Sequence, residues 1–310
     1  MTSIMRFALW ERSRSLSHQF MKSPRHVTLD GAAIIEVAAK IEELPPAEPY
    51  GLPIISSRPL TEGEMIVYEL MSCAVNYCYW YGLPSIRPNG ASANRMYELL
   101  DQTFDAWVEE KQPYFLGRPN LSGKERLLRH FISLLAEDQY PLMVDRTRHL
   151  LELEPILELL PDMILESAHR TDGEPRLDGL FRSLIQSCPG YAEDPFFKRA
   201  LLFFMQLNRR MGWFEEEIRQ LPIPADYQIP RVLRDLGVLR YSDELAARVD
   251  RFDLILPGSS EECEIRSASI LACDELAEQS GWKTSDVDYY CWTLRNTCKG
   301  PFHLTVTPNY

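Results

Sequence analysis

The sequence predicts an all-α fold: a single helical domain with few short strands. Three observations carry this. Helix-start signals precede apolar runs at helical spacing, one segment is apolar on nearly every side, and period-two alternation is scarce. With 310 residues the chain can bury a large core. We read residues 1–310 as one domain, in which residues 1–60 supply an N-terminal helical segment and a proline-rich crossing packed on the rest.

Residues 31 to 44 form the N-terminal helical segment. The stretch "LPPAEPYGLPIISSRPL" after it is rich in proline and glycine and reads as a surface crossing. "TEGEMIVYELMSCAVNYCYW" then opens with a capping box, Thr61 to Glu64, and puts Ile66, Leu70, Cys73 and Tyr77 on one face. Met96, Leu100, Phe104 and Trp107 repeat that spacing. A second capping box, Ser122 to Glu125, opens a helix bearing Leu128, Phe131, Ile132 and Leu135.

Asp194 followed by Pro195 signals a helix with proline at its first position. That helix, "PFFKRALLFFMQLNRRMGW", is apolar all round in its middle and is therefore central and buried. Ser259 to Glu262 opens the next long helix, with Ile265, Ala268, Ala272 and Leu276 on one face and Gly281 at its end. "FHLTVTPNY" at the C-terminus is the main candidate strand. No internal repeat or low-complexity tract is found.

Composition limits the function classes. Hydrophobic content of 45% and charged content of 25% are ordinary for a soluble globular protein. A net charge of -12 argues against stable nucleic-acid binding, which needs a basic stripe. No run approaches the roughly 18 apolar residues of a membrane span, and the apolar run after Arg6 is too short for a signal peptide. Seven scattered cysteines read as reduced, buried small hydrophobes in a cytoplasmic protein. None has Cys-x-x-Cys spacing and no His-Glu-x-x-His helix occurs, so no zinc site is expected; acid, base and electrostatics are expected to suffice without a metal or organic cofactor.

One stretch asks for a functional account. In "IPADYQIPRVLRDLGVLRYS", Asp226 lies between Pro224 and Pro230, which hold the chain extended around it. A carboxylate on a stiff connector is pre-positioned. It either caps the helix that follows or does chemistry. Beyond it come a helix, a Leu-Gly-Val turn and a second helix capped by Ser242, a helix-hairpin-helix-like unit such as DNA glycosylases carry.

The runs "SLSHQFMKSPRHVTLDGAAI", "NYCYW", "FFKRALL", "ADYQIPRVLRDLGVLRYSDEL", "PGSSEECEIRSASILACDEL" and "PFHLTVTPNY" follow one another along the chain. In that order they resemble the queuosine salvage protein family, the queuosine 5′-phosphate N-glycosylases. The resemblance spans roughly residues 12 to 310. It implies a cytoplasmic hydrolase that breaks the N-glycosidic bond of queuosine 5′-monophosphate or queuosine and frees queuine for tRNA. The alternatives are an N-glycosidase for another modified purine-like nucleotide, or a non-catalytic nucleotide-binding protein on the same fold. The partner in each case is a small nucleoside or nucleoside 5′-monophosphate.

By the same resemblance Asp226 is the active-site aspartate, stabilising charge at C1′ or activating water. Lys198 either snorkels to the surface or meets the phosphate or Asp226. Asn76, Tyr79 and Trp80 form a base-binding run, with Tyr227 as a further wall. Glu264 is either an exposed acid or an acceptor for the donor edge of a guanine-like base. Arg266 is either exposed or an ion pair with Asp226 or Glu264, and His303 is what remains of a histidine pair. Departures are Leu304 and Val306 where the family carries arginines, and Gln228 and Arg231 around the aspartate. They leave the role of the phosphate open.

Overall fold

The computed structural model describes residues 7–44, 59–80, 92–108, 123–157 and 159–310. Most of the proline-rich crossing and the cap at Ser122 lie outside these residues. The described chain is all-α with one two-stranded sheet. Helix α1 (Glu11–Phe20) leads into strand β1 (Val27–Leu29) and α2 (Gly31–Glu42). Then follow α3 (Glu62–Ala74), α4 (Ala93–Val108), α5 (Gly123–Glu137), α6 (Met143–Leu151), α7 (Leu160–His169) and α8 (Leu177–Ser187). The one-turn α9 (Pro189–Ala192) precedes α10 (Lys198–Met211) and α11 (Glu215–Ile218). The last part holds α12 (Gln228–Asp235), β2 (Leu239–Tyr241), α13 (Asp243–Asp250), α14 (Ser260–Ser280) and α15 (Thr284–Leu294).

The start signals form as the sequence predicts. Thr61 and Glu64 make a reciprocal capping box on α3, Ser242 caps α13, Ser259 caps α14, and Gly281 ends α14 at φ +71°. Two expectations are corrected. The C-terminal "FHLTVTPNY" forms only an isolated bridge, Leu254 with Leu304. The strands are instead β1 and β2, paired antiparallel with Thr28 opposite Arg240. A short strand thus stands between the two helices of the presumed hairpin. Gly237, at φ +78°, supplies the left-handed turn that lets the chain reverse out of α12 into it.

The central helix also starts later than Pro195. Phe197 adopts the left-handed conformation at φ 57° and α10 begins at Lys198. The Asp194 carboxylate reaches across this turn to accept the Phe196 N–H at 3.2 Å and the Lys198 N–H at 2.8 Å. A reason is visible in the packing. Phe196 belongs to the core of α2, α12, α14 and α15, whereas Phe197 belongs to the core of α3 to α8 and α10. The strained turn sends successive rings into two different cores. Lys198 therefore sits where those cores meet, and α10 is buried along most of its length.

A third, small cluster contains Tyr77, Cys78, Trp80, Tyr227 and Tyr310. Leu304 and Val306 pack against it. The two aliphatic side chains that depart from the resembled family are thus part of the apolar support behind Tyr227 and Trp80.

Candidate active site

The site begins with the end of α3. A helix leaves its last carbonyls unpaired, and burying them demands donors. Three cations supply these donors. Arg199 donates to the Ala74 carbonyl at 2.8 Å; Arg146 donates to the carbonyls of Val75 and Tyr77, the latter at 2.7 Å. Lys198 Nζ donates to the Asn76 carbonyl at 2.6 Å and to Asn76 Oδ1 at 2.8 Å. Arg146 also lies over the rings of Tyr77, Tyr79 and Tyr140. The run Asn76 to Trp80 is consequently fixed, and its Asn76, Tyr79 and Trp80 line a cavity of about 310 Å³ between α10 and α15.

Into that cavity the connector before α12 brings Asp226. Its Oδ1 accepts the Gln228 N–H at 2.7 Å and the Ile229 N–H at 3.0 Å. The sequence posed capping and chemistry as alternatives; the residue that caps α12 also lines the cavity. Both bonds fall on one oxygen, and the second oxygen is not engaged by them. Of the other residues singled out in the sequence, Lys198, Asn76, Tyr79, Trp80 and Tyr227 line the same cavity. Burial pushes the Lys198 ammonium down to about 8, against the opposing pull of Asp226. Lys198 therefore neither snorkels nor lies free.

Among the described residues, seven aromatic side chains line the cavity: Tyr79, Trp80, Tyr97, Tyr227, Tyr289, Trp292 and Phe302. Phe302 lies 5.0 Å from Tyr227 and 6.5 Å from Trp80, centroid to centroid. Flat apolar walls of this kind, with a few convergent polar groups, suit a planar heterocycle.

The structure places Glu264, Arg266 and His303 elsewhere. The Glu264 carboxylate accepts the backbone N–H groups of Arg25 (3.0 Å), His26 (2.7 Å) and Val27 (3.1 Å), and so anchors β1. It is buried, does not line the cavity, and its acceptor capacity is spent on backbone. Glu264→Ala is expected to cost about 2–3 kcal/mol of stability by stranding those donors, with KM unchanged; urea melts and substrate titrations check this.

Arg266 pairs with neither Asp226 nor Glu264. It grips Asp194 with both terminal nitrogens, at 2.8 and 2.7 Å, and donates through Nε to the Ala225 carbonyl at 3.1 Å. His303 is buried beside the Tyr310 hydroxyl at 3.2 Å, and burial with Arg266 nearby pushes it down to about 3. It is neutral throughout the physiological range.

Sequence reasoning passed over the wall contributed by α15. Asp288, Tyr289, Trp292 and Arg295 line the cavity, as do Gln206 and Arg209 from α10. The signal was spacing: residues 288, 292 and 295 fall on one helical face and carry an acid, an indole and a guanidinium. Gln206 Oε1 and Gln228 Oε1 are buried acceptors with no partner among the described residues. Burial pushes the Asp288 carboxyl up to about 7, Arg209 and Lys198 opposing and Asp226 reinforcing the shift.

That shift has a sign for stability. From about pH 4 to pH 7 the folded chain keeps a proton that the unfolded chain has released, so stability falls as pH rises through this window. Asp288→Asn has no such proton. It is expected to melt several degrees above the wild type at pH 8 and with no gain at pH 4; equal gains at both would contradict the assignment.

The sequence matches the model of the queuosine salvage protein family over residues 58–305. The chain belongs to that family. Relatives named queuosine 5′-phosphate N-glycosylase/hydrolase include one from Bos taurus, 28% identical over 210 residues, covering 57% of this chain and 61% of that protein. One from Mus musculus is 29% identical over 196 residues, covering 53% and 57%. One from Sphaerobacter thermophilus is 28% identical over 240 residues, covering 72% of each. The match to the two mammalian relatives thus spans less than two thirds of their length. Within this family member, the matched region contains the whole Asn76 to Trp80 run, Lys198, Asp226 and Asp288. No described helix is long and apolar enough to cross a membrane.

Proposed function

We propose that the protein is an N-glycosidase that hydrolyses queuosine 5′-monophosphate or queuosine and releases queuine. The observation that carries this reading is the position of Asp226: a carboxylate held by two backbone N–H bonds at the floor of an aromatic-walled cavity, with the Lys198 ammonium close by. The membership in a family with relatives so named supports it.

In this reading the base stacks among the rings. The unpaired amide oxygens of Gln206 and Gln228 accept from its N–H edge, the task Glu264 cannot perform because its oxygens are taken. Asp226 lies beside C1′. It stabilises the positive charge that grows as the bond breaks and then takes the proton of the attacking water. A 5′-phosphate would be met by the cations of the lining, Lys198, Arg209 and Arg295.

The test is mass spectrometric detection of free base after incubation with queuosine, its 5′-phosphate and the common nucleotides. Queuine release from the first two alone agrees with the proposal. A folded protein that binds these compounds and releases nothing is a binding protein instead.

A further inference from the structure

Asp288 has no place in the chemistry so far, yet it shares the cavity with Asp226. It stands on the first turns of α15, across from the α10 face that carries Lys198, Gln206 and Arg209. It feels Arg209, Asp226 and Lys198 through space, and its carboxyl makes no hydrogen bond among the described residues. Asp226, by contrast, is bonded to two N–H groups through Oδ1. One cavity thus holds two carboxyl groups in opposite settings. One accepts two backbone N–H groups that suit an anion; the other stands half-buried in the aromatic wall without such donors. Pairs of this kind divide acid from base work.

The leaving group gives the second carboxyl a task. A departing purine is commonly neutralised by a proton at N7, and a 7-deazaguanine has carbon there. Unassisted, the base would leave as an anion into an enclosed aromatic site, which is costly. A neutral carboxylic acid at the wall removes that cost.

We propose that Asp288 is the proton donor to the departing base. This rests on the N-glycosidase reading and extends it. As the C1′–N bond breaks, its electron pair stays on the base and the Asp288 proton neutralises it. Water then forms the C1′–O bond and gives up a proton to Asp226. The pair ends with Asp288 ionised and Asp226 protonated, and one proton passed through solvent from Asp226 to Asp288 restores the start. Charges balance, and the only co-reactant is water.

The charged and titratable groups around Asp288 are Arg209 and Lys198 from α10, Asp226 from the connector, and Cys273 from α14. Tyr227 precedes α12 on the same wall, and Tyr289 of α15 and Arg295 just past its end are the cavity neighbours of Asp288. Since Asp288 must carry a proton to act, kcat falls as pH rises past its titration near 7.

The experiment is kcat for queuosine 5′-phosphate from pH 5 to pH 9 in the wild type and in Asp288→Asn, with folding checked by circular dichroism. The wild type is expected to lose roughly tenfold per pH unit above about pH 7. Asp288→Asn should be about a hundredfold or more slower at pH 6, flat across pH 7, and little changed in KM. A variant that keeps most of the wild-type kcat, or the same descending limb, overturns the assignment. If Asp288→Asn does not fold, the wild type decides: a kcat level from pH 6 to pH 8 overturns it, and a limb near 7 that moves in Asp288→Glu sustains it. A wild type silent at every pH overturns the N-glycosidase reading and this inference with it, whereas an active wild type without the limb overturns this inference alone.

Discussion

Asp226→Asn is expected to lower kcat by a factor of several hundred or more, equivalent to about 4 kcal/mol of barrier, while leaving the melting temperature within a few degrees of the wild type. The two effects separate because the residue has two jobs on different atoms. Oδ1 accepts from Gln228 and Ile229 and so starts α12. An asparagine oxygen caps a helix about as well as an aspartate oxygen, so the connector keeps its shape. The charge is what is lost. A neutral amide neither balances an oxocarbenium ion at C1′ nor accepts a proton from water, so the barrier rises wherever the positive charge develops. Asp226→Ala is the contrasting variant: it should lose the same activity and in addition about 1 kcal/mol of stability with the cap. Product release followed by mass spectrometry, beside a thermal melt, reads both. If Asp226→Asn retained a third of the wild-type rate, the carboxylate would be a cap and no more, and the search for the reacting group would move to Asp288.

The parts of this site that were legible in the sequence are those with a local cause. Pro224 and Pro230 announce a stiff connector, and the resemblance of the runs around Asn76, Lys198 and Asp226 gathers residues far apart in the chain; all three come together at one cavity. Helix starts at Thr61, Ser242 and Ser259 are equally local, and form as expected. What escaped depends on partners that no spacing specifies. Glu264 and Arg266 sit two apart on a helix that looks amphipathic, and an exposed acid and base would read the same way. Both are buried because β1 brings three N–H groups to one and Asp194, 72 positions away, meets the other. Helix α1 was missed for a different reason. Its buried residues are Ser13 and Ser17, whose hydroxyls are satisfied by the carbonyls of Trp10 and Ser13 one turn back, so that small polar residues, beside only Leu16 and Phe20, face α14.

Arg266→Met is expected to be the most destabilising single change near the site, costing about 3–5 kcal/mol, and to slow the reaction although Arg266 does not line the cavity. Its guanidinium lies between the rings of Phe196 and Tyr310, at 4.5 and 4.3 Å, and is among the largest fully buried side chains. The methionine stem fills much of that slot, so the cost comes from the two buried carboxyl groups that lose their cation, Asp194 and Glu262. The route to activity is geometric. Asp194 holds the first residue of α10, Lys198, and Arg266 ties that carboxylate to the Ala225 carbonyl, one residue before Asp226. Lys198 and Asp226 are therefore registered to each other through one buried ion pair, and a displacement of the order of 1 Å at such a site is worth about a hundredfold in rate. Arg266→Lys, which restores the charge without the two-pronged grip, should recover part of the stability and little of the rate. Thermal melts and kcat on the three proteins decide it: a methionine variant that melts like the wild type, or one that melts early yet turns over at the full rate when folded, would remove Arg266 from the positioning of the site.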